Sequence, residues 1–435
     1  MRQYEKFDMQ VLTSRRTKKM AIFSSKPKPD DVFTPRSANV NPKLYIPRPD
    51  LEEDLAEGLS ESQHLVIFGE SGNGKSWLYK NVFKKEKVFY EVVNLALASS
   101  LGSLGATFDD KLSRQEEFER EKYELSKSVG VKPGGVGADF EGTWTYVKGK
   151  KEPFERLLAY IRKSANTRKA VIVFDNFEQV AGDEEVCKQI ANCVVLLDDP
   201  IYSSYNVKIV IVGTPVGIDE ILSRNGNIQT ISTRLKEIQE VERMSPTEAK
   251  LLMRRGLEDQ LKLKVLGEAE VFYTRMLSIT DRIALELQEL GLRIAKEALK
   301  KDGWIDQNVL NRAVEKWARN SIRANCTMVS NRMNSRETKA SRRNQCIYAC
   351  GITEKESFTY RDVEAKIREL FPATTAGVSL NVSGELSKLA KGDNPLLKRL
   401  PTDDAYRLAS PKVRMAIRTM LTVEDEKVRK TVLDI

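Results

Sequence analysis

Hydrophobic and polar residues follow two different patterns along this chain. Up to about residue 243, short apolar runs separate amphipathic stretches; the runs are Leu65–Phe68, Val88–Val93, Ala170–Phe174 and Val207–Val212. Such runs are typical of buried parallel strands that alternate with helices. From residue 245 onward, apolar residues recur at three- and four-residue spacing, and Ser245-Pro246-Thr247-Glu248 forms a capping box. The pattern predicts an α/β domain with a parallel sheet, followed by helical domains.

A glycine-rich motif follows the first apolar run. It consists of Gly69, Glu70, Ser71, Gly72, Asn73, Gly74, Lys75 and Ser76. In a P-loop of this spacing, backbone N–H groups and a helix N-terminus surround the phosphates of a nucleotide. Lys75 would reach the β- and γ-phosphates, and the Ser76 hydroxyl would coordinate Mg²⁺. The motif therefore predicts a site for a nucleoside triphosphate and Mg²⁺, with ATP as the expected cofactor.

Acidic and polar residues follow two later strands. Asp175 closes the run at Ala170–Phe174, where it would hold Mg²⁺ through its water shell, and Glu178 could orient or deprotonate the attacking water. Thr214 follows the run at Val207–Val212, where it is a candidate γ-phosphate sensor, although a capping or turn role fits equally well. Arg234 is a candidate arginine finger that reaches a neighbouring subunit, with an ordinary surface arginine as the alternative.

The pattern also suggests domain boundaries. We expect a basic, partly disordered arm over 1–47, a P-loop ATPase domain over 48–243 with an insertion at about 98–151, and a helical lid over 244–321. A basic linker over 322–343 would lead to a domain over 344–435. Three predicted helices followed by a hairpin around residues 395–408 give that last domain the order of a winged helix.

The distribution of charge along the chain suggests one class of binding partner. The net charge is +9, and the excess lies at the two ends: residues 1–47 carry ten Lys/Arg against four Asp/Glu, and residues 331–435 carry twenty against fourteen. This distribution suggests a polyanion contact, most simply DNA, while an ordinary solvated surface remains the alternative.

Other residue types argue against several further classes. Five scattered cysteines predict no structural disulfide, and His64, the single histidine, precedes a strand in a place that favours a structural role. The absence of long apolar runs and of a signal peptide predicts a soluble, cytoplasmic protein with no membrane contact.

Three phrases resemble one known family, the AAA+ ATPases of the origin-recognition and transposon-regulator (TniB, MuB, TnsC) type. They are GESGNGKS, IVFDNFE and YIPRPDLEEDL. The resemblance implies Walker A at Gly69–Ser76, Walker B at Asp175, sensor 1 at Thr214 and a finger at Arg234. It also implies a position near the nucleotide base for Arg48 and a sensor 2 role for Arg282. Such proteins form ATP-dependent homo-oligomers, engage DNA and work with an effector or transposase partner.

The chain departs from that family at two positions. Most members place Glu directly after the Walker B Asp, whereas this chain has Asn176 there; Glu178 would point the same way as Asn176 if the strand continued. No Gly-x-Pro precedes Arg282. These departures keep open an alternative, a STAND-like switch in which nucleotide gates a partner protein with little turnover, the winged helix acting as an internal brake.

Overall fold

A computed structural model describes residues 27–114, 151–214, 217–218, 221–222, 231–334, 341–400 and 404–431. Residues 1–26 of the predicted arm, most of the predicted insertion over 98–151, and Pro215 lie outside the described residues. Across the described ranges, none of the helices has the length and apolar character needed to cross a bilayer.

The predicted parallel sheet is confirmed. Its five strands are β1 (His64–Phe68), β2 (Phe89–Asn94), β3 (Ala170–Asp175), β4 (Val207–Gly213) and β5 (Leu235–Glu237), in the spatial order β2-β3-β4-β1-β5. Neighbouring strands are parallel throughout, with Leu65 opposite Val210 and Ile172 opposite Ile209. The interior residues of β3 and β4 are almost completely buried because helices cover both faces.

Helices occupy both sides of this sheet. They span Pro49–Gly58, Lys75–Lys85, Leu95–Leu101, 104–114, Pro153–Ala165, Glu184–Leu196 and Pro200–Ser203. Two apolar cores result: one face of the sheet packs against Leu55, Tyr79 and Phe83, and the other against residues such as Phe108 and Leu157. The strands therefore end at one common edge, which carries the glycine-rich motif.

The helical region after the sheet also forms as predicted. Its helices are Pro246–Arg254, a π-helical extension over Arg255–Gln260, Ala269–Ile279, Ala284–Leu299 and Gln307–Ser321, with short strands β6 (Lys264–Val265) and β7 (Trp304–Ile305) paired in parallel. Ser245 and Glu248 make the predicted reciprocal capping box. We call Ala284–Leu299 the lid helix, because its first turn lies against the glycine-rich motif.

The C-terminal region continues with six helices and two hairpins. The helices are Arg323–Arg332, Arg342–Ile352, Tyr360–Leu370, Pro372–Thr375, Val382–Leu389 and Pro411–Met420. The first hairpin pairs β8 (Leu397–Arg399) with β9 (Tyr406–Leu408), and the second pairs β10 (Leu421–Glu424) with β11 (Lys427–Lys430). A further bridge joins Phe358 to Tyr406, so an extended segment after the second of these helices also pairs with the first hairpin.

Two segments have buried residues that the sequence pattern did not indicate. Within the expected basic, partly disordered arm, Val32, Phe33 and Leu44 are fully buried, and the ring of Phe33 lies where a Cβ at Gly256 or Gly291 would be. Residues 323–332, expected within a linker, form a helix whose Cys326 and Val329 are buried. Both segments are stabilised by a few long-range apolar contacts, which leave no periodic stripe in the sequence.

Candidate nucleotide site

The glycine-rich motif forms a tight loop between β1 and the helix Lys75–Lys85. Gly72 and Gly74 have φ values of 88° and 102°, which residues with a Cβ rarely adopt. The helix begins directly at Lys75, so its unpaired N–H groups face the loop. The loop is therefore built to surround an anion.

Lys75 lies within this loop. Its Nζ donates to the carbonyl oxygens of Gly69 at 2.6 Å and Glu70 at 3.2 Å. Burial lowers the pKa of Lys75, and the carboxylates of Glu178 and Asp175 partly counteract that shift. The ammonium is thus a partly desolvated cation directed by backbone carbonyls, which suits it to binding phosphate oxygens.

The residues after β3 correct one sequence expectation. The strand ends at Asp175, and Asn176 takes a left-handed conformation with φ 65° and ψ 44°, so the chain does not continue as a strand to Glu178. A 3₁₀ turn over Phe177–Gln179 follows; it buries Phe177 and leaves Glu178 exposed at the rim of the pocket beside Lys75. Glu178 therefore faces the site through a turn and not through strand alternation.

The Asn176 side chain makes its own contact. Its Nδ2 donates to Asn94 Oδ1 at 2.9 Å, at the end of β2, and its backbone N–H donates to Asp175 Oδ1 at 2.9 Å. Asp175 also accepts a hydrogen bond from the Tyr79 hydroxyl at 3.3 Å. Asn176 thus orients Asp175, and Tyr79 is a site residue that the sequence pattern did not indicate.

The oxygen donors at this edge fit Mg²⁺. Ser76 and Asp175 supply a hydroxyl and a carboxylate, the hard ligands that Mg²⁺ prefers. Among the described residues, no group of three or more His, Cys, Asp or Glu side chains is arranged to hold a metal. Phosphate oxygens and water would therefore have to complete the coordination, as is usual for Mg²⁺ in nucleotide sites.

A cavity of about 370 Å³ extends from the loop, and we call it the nucleotide pocket. The motif residues Ser71–Ser76 form one wall with Asp175, Asn176 and Glu178, and the first turn of the lid helix forms another. Further residues that sequence reasoning missed come from the segment before residue 48: Arg36, Ser37 and Ala38 line the pocket, and the Trp77 Nε1–H donates to Ser37 O at 3.4 Å.

That segment is held to both sides of the pocket. The Lys80 Nζ donates to Ala38 O at 2.7 Å, whereas the Thr34 N–H donates to Gln288 Oε1 on the lid helix at 3.2 Å. Arg36 forms an ion pair with Glu289 at 3.1 Å. The segment therefore ties the motif helix to the lid helix across the pocket.

Arg48 lies in the same pocket with one donor unused. Its Nη1 donates to Glu242 O at 2.9 Å, and Glu248 lies 3.8 Å from its Nε. Its Nη2 is buried without a hydrogen-bond partner among the described residues. Burial lowers the pKa of this guanidinium. An unpaired donor in a pocket is costly unless a ligand accepts from it, so this N–H group is available to a bound ligand. The place of Arg48 near the nucleotide base stays a prediction.

The lid helix touches the loop directly. The Leu285 N–H donates to Gly72 O at 3.0 Å, and Leu285 and Gln288 line the pocket. Arg282, predicted to be sensor 2, does not line it. Its Nε donates to Met244 O at 3.0 Å, and its Nη2 forms an ion pair with Glu354 at 2.9 Å.

The other two predicted residues lie elsewhere. Thr214 lines a second cavity of about 700 Å³, together with Glu70 and Asn73, at the common edge of the sheet. Arg234 lies beside the start of β1, where its carbonyl accepts from the His64 N–H, and it forms an ion pair with Asp198 at 2.5 Å. Since β1 runs from His64 to the loop, Arg234 lies at the opposite end of the sheet from its own pocket.

Comparison with known proteins agrees with this geometry. Residues 59–222 match a family model described as AAA domain. A search of the curated proteins gave no match. Among solved structures, the Walker-type ATPase PABY2304 of Pyrococcus abyssi is 15% identical, with a TM-score of 0.50, and the match covers 88% of this chain and 99% of that one.

Further solved structures show a weaker likeness to this chain. The ORC2 protein of Aeropyrum pernix, in ADPNP–ADP complexes, is 14% identical with a TM-score of 0.48, covering 89% of this chain and 96% of that one. Cdc6p from Pyrobaculum aerophilum is 12% identical with a TM-score of 0.41, covering 90% and 97%. The match of residues 59–222 to the AAA domain model and the five-stranded parallel sheet together indicate a P-loop AAA+ fold, as the sequence predicted.

Proposed function

We propose that this protein is a Mg-ATP-binding AAA+ ATPase that assembles in an ATP-dependent manner and engages DNA, with ATP hydrolysis acting as a regulatory clock. The observation that carries the nucleotide part is the desolvated Lys75 ammonium, which shares a 370 Å³ pocket with Asp175 and Glu178. A cation, a Mg²⁺-binding carboxylate and a rim carboxylate are the groups that phosphoryl transfer to water requires.

In the proposed reaction, each residue has a separate task. The loop N–H groups and Lys75 bind the phosphates, and Ser76 and Asp175 would hold Mg²⁺, which supplies charge neutralisation when bound. Glu178 would accept a proton from the attacking water. Because Glu178 lies on an exposed 3₁₀ turn and not on the strand, we expect slow turnover until a partner or a neighbouring subunit orders this rim.

Assembly is supported by the place of Arg234. It lies about one strand length from its own P-loop, so it can serve a nucleotide only in another subunit. A shared site predicts that Lys75→Ala and Arg234→Ala subunits, each inactive alone, recover partial hydrolysis when mixed. Recovery no greater than the sum of the separate activities would argue against Arg234 as the finger.

DNA engagement is supported by the C-terminal region. Its helices Arg342–Ile352, Tyr360–Leu370 and Val382–Leu389, the bridge at Phe358 and the hairpin β8–β9 follow the order of a winged helix. Both hairpins carry exposed basic residues: Lys398 and Arg399 on the first, Lys427, Arg429 and Lys430 on the second. These cations suit phosphate contacts.

The test combines hydrolysis and DNA affinity. We expect duplex DNA to stimulate ATP hydrolysis, Lys75→Ala and Glu178→Gln to abolish the stimulation, and DNA affinity to fall steeply between about 50 and 200 mM salt. ATP binding with negligible turnover and no salt-sensitive DNA affinity would overturn the DNA part and favour the STAND-like switch.

One observation favours that second candidate. Lys398 and Arg407 of the first hairpin face Glu70, Glu240 and Glu242 of the ATPase domain across the 700 Å³ cavity. Burial and the neighbouring carboxylates raise the pKa of Glu240, which indicates a concentrated negative potential there. The basic hairpin is therefore turned toward the ATPase domain, the arrangement expected of an internal brake.

A further inference from the structure

A buried carboxylate joins three parts of the molecule beside the nucleotide pocket. Asp281, only 1% exposed, lies in the turn before the lid helix. It accepts hydrogen bonds from Arg243 at 2.6 Å, Arg414 at 3.0 Å and Arg418 at 3.1 Å. We call these four residues the Asp281 cluster. Arg243 precedes the lid and Arg414 and Arg418 belong to the helix Pro411–Met420, so the cluster fastens the C-terminal region to the lid.

One carboxylate does not neutralise three guanidiniums, and two exposed glutamates complete the balance. Glu356 forms an ion pair with Arg414 at 3.1 Å, and Glu354 forms one with Arg418 at 3.0 Å. Both glutamates lie on the loop after the helix Arg342–Ile352, and both also approach Arg243. They are thus near-equivalent supports of the cluster.

The two glutamates differ in one contact. Glu354 also binds Arg282 Nη2, at 2.9 Å, whereas no such ion pair with Arg282 exists for Glu356 among the described residues. Arg282 is therefore shared between a lid turn and a loop of the C-terminal region. Its backbone is left-handed, with φ 57°, immediately before the residues that dock on the P-loop.

Only a few residues separate the Glu354–Arg282 ion pair from the nucleotide pocket. A Cβ on Gly72 would lie 3.0 Å from Ile283 and 3.1 Å from Leu285, so the P-loop and residues 283–285 are in contact. Met244, whose backbone N–H and carbonyl both bond to Arg282, lines the nucleotide pocket. Arg282 is therefore bonded to a residue that lines the pocket and adjoins the residues that contact the P-loop.

We propose that Glu354 withholds Arg282 from the nucleotide pocket, so that docking of the C-terminal region and binding of a nucleoside triphosphate compete for this one guanidinium. The inference rests on the proposed function, because it requires that the pocket binds ATP. Binding of ATP draws Arg282 toward the phosphates, removes one ion pair from the docked region and favours its release. In reverse, the docked region lowers ATP affinity by the same factor.

The two glutamates provide a matched test. ATP affinity is measured by calorimetry for wild type, Glu354→Gln and Glu356→Gln, each alone and with Arg282→Ala. Either single change removes one exposed partner of a buried arginine, but only Glu354→Gln removes the ion pair of Arg282. We expect Glu354→Gln to tighten ATP binding by about 2- to 5-fold, the range given by the measured strength of exposed ion pairs. Glu356→Gln should leave affinity unchanged, and Arg282→Ala should abolish the gain.

Each outcome decides between the alternatives. Equal affinities for Glu354→Gln and Glu356→Gln, or a gain that persists with Arg282→Ala, would overturn the competition while leaving ATP binding intact. Absence of ATP binding by the wild-type protein would instead overturn the proposed function, and this inference with it. A gain confined to Glu354→Gln and dependent on Arg282 would support the competition.

Discussion

The nucleotide pocket and the Asp281 cluster lie on two sides of the same lid turn, yet they are built in opposite ways. The P-loop wall of the pocket comes from six consecutive residues, Ser71–Ser76. The cluster is assembled from single side chains at 243, 281, 414 and 418. The loop is a local feature of the sequence. The cluster depends on every member, because a buried charge that loses its partner strongly destabilises the folded state.

The largest effect is expected from removing the centre of the cluster. Asp281→Asn preserves the shape of the side chain, and Asn readily adopts the left-handed backbone of this position. The change leaves three guanidiniums without their shared carboxylate. We expect a loss of about 3–5 kcal/mol in the free energy of unfolding, measured by urea denaturation. Asp302→Asn is the control, since Asp302 is exposed with a similar φ of 52° and should change stability by less than about 0.5 kcal/mol. Equal small losses would show that the cluster does not hold the C-terminal region.

A substitution in the nucleotide pocket should lower ATP hydrolysis without lowering the stability of the fold. Lys75→Ala removes a cation whose burial lowers its pKa, so the empty protein should unfold at an unchanged or higher temperature. ATP hydrolysis should fall about 100-fold. Lys84→Ala, at the exposed end of the same helix, is the control and should leave hydrolysis unaltered. A comparable loss in both variants would mean that Lys75 contributes only general charge.

A smaller effect on stability is expected at the contact between the P-loop and the lid turn. Gly72→Ala places a methyl group against Ile283 and Leu285, whereas Gly74→Ala meets no atom within 4 Å. Both carry a positive φ, so the backbone cost is shared. The clash should make Gly72→Ala less stable than Gly74→Ala by about 1–3 kcal/mol in the absence of nucleotide. Faster hydrogen exchange at the Leu285 amide in Gly72→Ala alone would locate the effect at the lid contact.

The smallest effect concerns pH. Burial lowers the pKa of His64 to about 4, and its Nδ1 accepts the Ile209 N–H at 3.3 Å. Because the unfolded chain binds the proton near pH 6.5, stability is complete above that pH and declines as the pH falls toward 4. We expect a loss of about 1 kcal/mol between pH 6.5 and 5.5. His64→Gln should lack this slope, and an unchanged slope would assign it to other groups.

The same contrast explains what the sequence could predict. The sheet, the P-loop and the capping box follow from neighbouring residues, and the structure confirms them. The turn at Asn176 had a usable signal, because Asn is among the few residues that adopt left-handed backbone readily. The expectation for Glu178 held only if the strand continued past Asn176, and the turn there replaces strand alternation as the route to the site.

No local sequence pattern predicts the long-range ion pairs. Arg36 meets Glu289, and Arg414 meets Asp281, across 253 and 133 positions of the chain. A single charged residue far from its partner resembles any solvated surface residue. Likewise, Arg282 was expected in the pocket because of its place before a lid helix, and only the folded C-terminal loop reveals its ion pair with Glu354. The predicted sensor, finger and domain boundaries stay predictions.

The burial of Phe33 has a practical consequence for cutting this chain into fragments. Its ring fills the slot formed by Gly256 and Gly291, two helical positions at which the atoms nearest to an added Cβ all belong to Phe33. A fragment that starts at residue 48, the boundary suggested by the hydrophobic pattern, would open that slot and uncover one end of the pocket. We therefore expect such a fragment to be recovered mostly as aggregate, while one that starts at residue 27 stays monodisperse.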